Sequence, residues 1–412
     1  MALPLAGIRI LDLTRYLAGP FGAMILGDLG AEIIRIEHPE DLEFARRAPP
    51  HFIQGQSVYF LSLNRNKKSV ALDLKSADGL AVFYDLVKTA DVVFDNFRFG
   101  VTDKLKVDAE TLKKIKPDII CCSLSGYGRN GPYADRPGAD FIMQGISGVM
   151  SLTGEPGSPP QKTGISIVDH LGGLYAAISI LASLVQKGRG GGGRSSDVSL
   201  LDSMVAVLTY VAAYYLNAGE VPQKVPYSGH PFNVPLQNFE ASDGYIVLMA
   251  ADDRFWPGVC RVIGKPEWGD DPRLKTMAGR GKHKQMILDA MIPAIKAKPV
   301  THWVDAFVAE GVLCDRVNTL PEGMAHPQVL ARNMVVEIDH PVSGTFRTVG
   351  NPIKLTDEPE VFGSPPLLGQ HTDELLAEIG YSNEKIEQLR SSKTIGRRVQ
   401  ASELAAAAGP SS

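Results

Sequence analysis

Cysteine is scarce. The chain has four, Cys121, Cys122, Cys260 and Cys314, and no C-x-x-C spacing, which leaves neither a disulfide framework nor a thiolate metal site to read. They are expected as core residues of a protein kept reduced. Neither sign of charge is in excess: 42 basic against 46 acidic side chains give a formal net charge of −4. No basic run with interleaved aromatics appears, so nucleic acid is not an expected partner. The pairs Arg46 and Arg47, Lys67 and Lys68, and Lys113 and Lys114 are read as solvated surface, with room for one or two of them to meet phosphates. Near the start, Arg9 and Asp12 interrupt any signal-peptide apolar segment, and the apolar run at 171–186 is read as too short to cross a bilayer. A cytoplasmic protein without a membrane partner is the expectation.

Several catalytic motifs are missing as well. There is no G-K-[ST] phosphate loop, no H-E-x-x-H and no G-x-S-x-G, which removes local support for P-loop, zincin and serine-hydrolase chemistry. A literal G-x-G-x-x-G stands at Gly188, Gly190 and Gly193. It follows a helical pattern, whereas the dinucleotide fingerprint follows a strand and opens a helix. It is read as a helix-to-strand connection, and a nicotinamide dehydrogenase is disfavoured.

What is present is an ordinary globular composition, 44% hydrophobic and 21% charged over 412 residues, enough for two cores. Apolar strand patterns at 8–13, 32–36, 69–72, 91–94 and 118–124 alternate with helical patterns reaching to 29, over 76–89 and over 108–116. That alternation predicts an α/β fold with a large doubly wound, Rossmann-like, mostly parallel sheet. Ligands of such sheets sit beyond the carboxyl ends of the strands, which nominates the turns 14–20, 73–75, 96–104 and 125–131. An apolar helix is expected over 202–218. Prolines 222, 226, 231 and 235 then mark a linker. A smaller α+β domain follows, and a helix to 332, a hairpin at 334–349 and helices at 372–379 and 383–390 close the fold. The expected division is a large domain over 1–200 completed by about 330–400, a linker at 201–224, a small domain at 225–325, and a low-complexity disordered tail at 401–412.

The stretch 164–199 concentrates the chemistry. A short strand-like run at 165–168 delivers Asp169 to the start of a strongly apolar helix running to about 186. Helix-start N–H groups and the dipole favour a charged carboxylate, so Asp169 is expected to be ionised at neutral pH. Gly172 and Gly173 each cost roughly 1 kcal/mol inside a helix. Two interpretations stay open: Asp169 caps the helix and the glycines admit a neighbouring helix, or Asp169 is a nucleophile and the glycines give a bulky substrate room.

The ordered set GIRILDLTRYLAGPFGAMILGDLGAEIIRIE (7–37), LNRNKKSVALDLK (63–75), VVFDNFRFGVTDKL (92–105), SLSGYGRNGPYADRPGADF (123–141), VDHLGGLYAAISILASL (168–184), DGYIVLMAADDRFWPGVC (243–260) and LGQHTDELLAEIGYS (368–382) resembles the class III CoA-transferases. This is the formyl-CoA and carnitine CoA-transferase (CaiB/BaiF) group, whose fold α-methylacyl-CoA racemase shares. The resemblance implies that Asp169 is the nucleophile and attacks an acyl-CoA thioester. It implies that Tyr16, Leu17 and Ala18 border the thioester and offer N–H groups to an oxyanion. It also implies that Leu72, Lys75, Asn96, Phe97, Arg98, Lys104 and Arg136 meet the CoA nucleotide and phosphates. His38 stands where formyl-CoA transferase has an arginine near the adenosine. The glycine-rich active-site loop of that enzyme has no counterpart, the chain reading YSGHPFNVPLQNF at 227–239. Substrates would be an acyl-CoA and a carboxylic acid, with no metal and no cofactor beyond the CoA thioester, in an interlocked homodimer. A racemase-like isomerase is the alternative; where that relative carries G-H-D, this chain has Gly138-Ala139-Asp140, and Ala139 cannot carry a proton.

Overall fold

A computed structural model describes residues 2–355 and 359–397. The expected tail at 401–412 lies outside them. The chain divides into two compact units.

The first unit takes the chain to Ser147, Gly164–Leu208 and the part from Leu330 onward. Its strands are β1 (Arg9–Asp12), β2 (Glu32–Glu37), β3 (Lys67–Ala71), β4 (Val92–Asp95), β5 (Ile120–Ser125) and β6 (Ser195–Ser199). They lie side by side in the order β3-β2-β1-β4-β5-β6, and every neighbouring pair is parallel. This is the Rossmann order, built by two windings that leave β1 in opposite directions. Helices α1 (Ala18–Asp28), α2 (Ala77–Thr89), α3 (Ala109–Ile115), α4 (Asp140–Ile146), α5 (Ile167–Gly188) and α6 (Leu200–Val207) connect or follow the strands. Ser76 caps α2 by accepting from Gly79 N–H, and Asp108 caps α3 by accepting from Thr111 N–H, the helix starts that Ser/Asp positions favour. One face of the sheet packs Leu11, Ile34, Val70 and Val93 against Val82, Phe83 and Leu86 of α2. The late helices at 372–378 and 383–391 add Leu375, Leu376, Ile386 and Leu389 to the same core. The doubly wound sheet anticipated from the alternating pattern is therefore present, and it is parallel throughout.

Three expectations need correction here. The 165–168 run is not a strand: Ser166 is already the N-cap of α5, and Ile167 and Val168 are its first residues. Helix α5 is 22 residues long, so it is long and apolar enough to span a bilayer, contrary to the reading of 171–186. Its stripe Val168, Gly172, Gly173, Ala176, Ala177 and Ile180 is buried in this unit instead. The helix expected over 202–218 is two helices, α6 and α7 (Thr209–Ala218), broken at Thr209, whose φ is positive.

The second unit comprises Gly148–Thr163 and Thr209–Val329. Strands β7 (Leu236–Glu240), β8 (Tyr245–Met249) and β9 (Leu313–Arg316) form an antiparallel sheet in the order β9-β8-β7. Ile246, Leu248 and Phe239 pack on Trp256, Met291, Trp303 and Phe307, the inward half of a period-two strand pattern. Cys121, Cys122 and Cys260 are buried and Cys314 half-buried, and burial pushes all four thiols up to about 12. They are free core thiols, as the sequence suggested.

Candidate active site

Strand β1 hydrogen-bonds to both β2 and β4, so the switch point of the sheet lies beyond the ends of β1 and β4. A buried ion network fixes the β1 end. Asp12, fully buried, takes Lys67 Nζ at 3.1 Å and Thr14 N–H at 2.9 Å. Lys67 also donates to the Pro20 carbonyl in the first turn of α1, at 3.0 Å. Burial, only partly offset by Asp12, pulls the Lys67 ammonium down to about 8. Around it Arg35 pairs with Glu43. Arg46 grips Glu37 with two bonds of 2.7 Å, and although burial opposes ionisation, Arg46 and Arg35 bring Glu37 down to about 2. The start of α1 is thus tied to the sheet by charges that cannot leave without stranding a partner.

Across the switch point, Asn96 accepts from Arg15 N–H and donates to the Arg15 carbonyl, both at 2.8 Å. The Arg15 guanidinium lies over the Phe97 ring at 5.3 Å. Asn96 and Phe97 therefore shape the 14–20 turn. In that turn Tyr16 has φ 63° and is 58% exposed, Leu17 is the uncapped N-cap of α1, and Ala18 is its first residue. Phe21 N–H bonds the Leu17 carbonyl and Pro20 carries no N–H, leaving Ala18 and Gly19 to supply first-turn N–H groups that have no carbonyl of the helix to bond.

Helix α5 crosses α1 at backbone contact. A Cβ on Gly173 would sit 2.4 Å from the Ala18 carbonyl oxygen, and one on Gly22 would sit 2.5 Å from the Gly173 carbonyl oxygen. A Cβ on Gly172 would meet Leu200 at 2.5 Å. The Cβ positions of both Gly172 and Gly173 are filled by protein. The expected room for a thioester is not there, and the helix-packing interpretation holds for them. Asp169 lies one turn before Gly173, beside the opening turn of α1, and His170 meets the Phe21 ring edge-on at 4.7 Å. His170 Nδ1 is 2.7 Å from the Ser166 carbonyl, a contact that requires the proton on Nδ1.

Asp169 is not the cap. Its neighbour Val168 gives its N–H to Asp140 Oδ1 at 2.9 Å, while Asp140 Oδ2 accepts from Gln144 at 2.8 Å. Nothing donates to the Asp169 carboxylate among the described residues, and burial, reinforced by the Asp140 charge, pushes its pKa up to about 7. The expectation of a fully ionised Asp169 is therefore wrong. A helix N-terminus supplies about 0.3–1 kcal/mol at such a site, and here a carboxylate of another helix already occupies the first turn. Burial beside a like charge outweighs it. Asp169 also lies within electrostatic reach of the Tyr59 hydroxyl, which burial chiefly, then Asp169, holds well above its ordinary range. Tyr59 meets Phe44 edge-on at 6.0 Å, and Phe44 stacks on Tyr16 at 5.6 Å, so an aromatic wall runs from the 14–20 turn toward Asp169.

The remaining nominated residues gather elsewhere. Lys75 and Lys104 line one cavity of about 430 Å³ with Lys106 and Tyr84. His38 accepts from Glu40 and Asp41 N–H groups and lies 3.7 Å from Asp73, whose carboxylate also accepts from Lys75 N–H. Arg98 is exposed, and Arg136 stacks on Tyr133 at 3.7 Å. Leu72 is 1% exposed within the α2 core, so its side chain is unavailable to a ligand. Missed from the sequence were Asp140 as a partner, Tyr59 and Phe44. Only Asp140 had a signal, its helical spacing to Gln144.

The profile of CoA-transferase family III matches residues 5–372. The chain belongs to that family. Among relatives of this transferase, human succinyl-CoA:glutarate CoA-transferase is 36% identical over 394 residues, covering 95% of this chain and 90% of its own. The acetyl-CoA:oxalate CoA-transferase of Acetobacter aceti is 36% identical, covering 88% and 93%. A crystal structure of a CaiB/BaiF family protein from Brucella suis superposes with a TM-score of 0.80 at 34% identity, covering 92% of this chain and all of that one. The family III transferase described here is thus an enzyme moving CoA between an acyl-CoA and a carboxylic acid.

Proposed function

We propose that Asp169 is the covalent nucleophile of this transfer. The observation that carries the proposal is a half-buried carboxylate with no hydrogen-bond donor among the described residues, placed beside the opening turn of α1 at the sheet's switch point. A carboxylate stripped of solvation and raised to about 7 is half ionised at neutral pH and more basic than an ordinary aspartate, which favours attack. Attack on the thioester carbonyl forms an O–acyl bond and expels CoA thiolate, giving a mixed anhydride. The thiolate then attacks the aspartyl carbonyl, releasing the donor acid and leaving an aspartyl-CoA thioester. The acceptor carboxylate attacks that thioester, and the thiolate takes the new acyl group, restoring Asp169. Acyl groups exchange between oxygen and sulfur throughout, with no change of oxidation state. The N–H groups of Ala18 and Gly19 are the donors for each oxyanion, and the Lys75–Lys104 cavity is the cationic candidate for CoA phosphate. The working form is taken to be the homodimer.

Succinyl-CoA with glutarate is the first pair to assay, following the names of the similar proteins. Purified protein is expected to convert it, and Asp169→Ala to abolish conversion. An active Asp169→Ala overturns the proposal, and solvent deuterium entering the acyl α-carbon without CoA exchange establishes the racemase chemistry instead.

A further inference from the structure

The charge that acts on Asp169 is that of Asp140, and the cations at the β1 end and in the 14–20 turn have partners. Lys67 and Arg35 are held by Asp12, Glu37 and Glu43. Arg46 is held by Glu37 and by the Phe60 ring 3.8 Å below it. Arg15 lies over Phe97. Arg47 differs from these four: among the described residues its side chain has no carboxylate, carbonyl or ring partner, and it is exposed.

Its position follows from the local backbone. Phe44–Arg47 is a single 3-10 turn, in which side chains at i and i+3 eclipse. Arg47 therefore shares a face with Phe44. Burial agrees, since Phe44 and Arg47 are exposed while Ala45 is fully buried and Arg46 partly so. Phe44 in turn stacks on Tyr16 and meets Tyr59, whose hydroxyl senses Asp169. The turn that contributes Phe44 to the aromatic wall thus also presents an exposed guanidinium that has no partner among the described residues. A substrate already carrying one carboxylate toward Asp140 and Asp169 gains from a cation at its far end, and a guanidinium holds a carboxylate bidentately.

We propose that Arg47 is the specificity-determining residue for the distal carboxylate of a dicarboxylic acyl group or acceptor acid. The inference rests on the transferase chemistry at Asp169 and narrows its substrates to acids bearing a second carboxylate.

The test compares glutarate with pentanoate, acids of equal carbon chain that differ in the distal carboxylate, as acceptors from one common acyl-CoA donor. The wild type is expected to favour glutarate in kcat/KM, and Arg47→Gln to lower the glutarate-to-pentanoate ratio about 10- to 100-fold, the weight of a charged hydrogen bond. Arg47→Lys is expected to retain part of the ratio. A wild type without preference overturns the proposal. So does an Arg47→Gln variant that loses both acids equally, which would mark a contact to CoA phosphate or a structural role. Where the wild type converts neither acid, the same ratio, read as equilibrium affinities by calorimetry on the full chain, decides the role of Arg47 separately from the chemistry at Asp169.

Discussion

The raised pKa of Asp169 makes stability a reporter of the site without any assay of turnover. Asp169 moves from 3.8 to about 7, with burial first and Asp140 second as causes. Between those values the native chain holds a proton that the unfolded chain has released, so stability falls as pH rises through the window and levels off above about 7. Each unit corresponds to about 1.36 kcal/mol, so the full shift costs at most about 4 kcal/mol, and water reaching the half-buried side chain screens part of it. Replacement Asp169→Asn keeps the shape and removes the charge. By urea unfolding, the variant is expected to be more stable than wild type by about 2–4 kcal/mol at about pH 8, and by under about 2 kcal/mol at about pH 5, where the native carboxyl is already protonated. A variant no more stable than wild type at the higher pH, or a gap that does not change with pH, refutes burial of an uncompensated carboxylate.

Two further outcomes follow from the same geometry. Asp140→Asn retains an oxygen for Val168 N–H but removes the like charge, so the acid limb of the kcat/KM profile is expected to move to lower pH, whereas Asp140→Ala also loses about 1 kcal/mol of helix-start stability in unfolding experiments. Gly173→Ala drives a methyl into the Ala18 carbonyl and is expected to cost about 1–3 kcal/mol and to depress kcat by displacing the α1 turn, while Gly172→Ala meets the movable end of Leu200 and costs less; paired unfolding and rate measurements check the contrast.

The sheet was legible because its strands are short apolar runs separated by helical periods, a pattern set locally. Strand β7 was hidden in a proline-rich stretch, and β6, SSDVS, pairs with β5 through its backbone and offers no apolar pattern to find. Asp169 could be located by its place before an apolar helix, but not its charge state. That depends on Asp140, brought to the same helix start by tertiary packing. The roles of Gly172 and Gly173 were equally ambiguous, since a glycine that admits a helix and one that admits a ligand leave the same letter. Leu72 is a residue nominated by resemblance whose side chain lies in the core, so a ligand contact there falls to its backbone.

The central claim is that the acyl group passes through Asp169. Incubating the protein with succinyl-CoA, quenching with borohydride or hydroxylamine and mapping peptides by mass spectrometry tests it most directly. Modification confined to Asp169, and dependent on the acyl-CoA, is the predicted result; a protein that transfers CoA while Asp169 stays unmodified contradicts it.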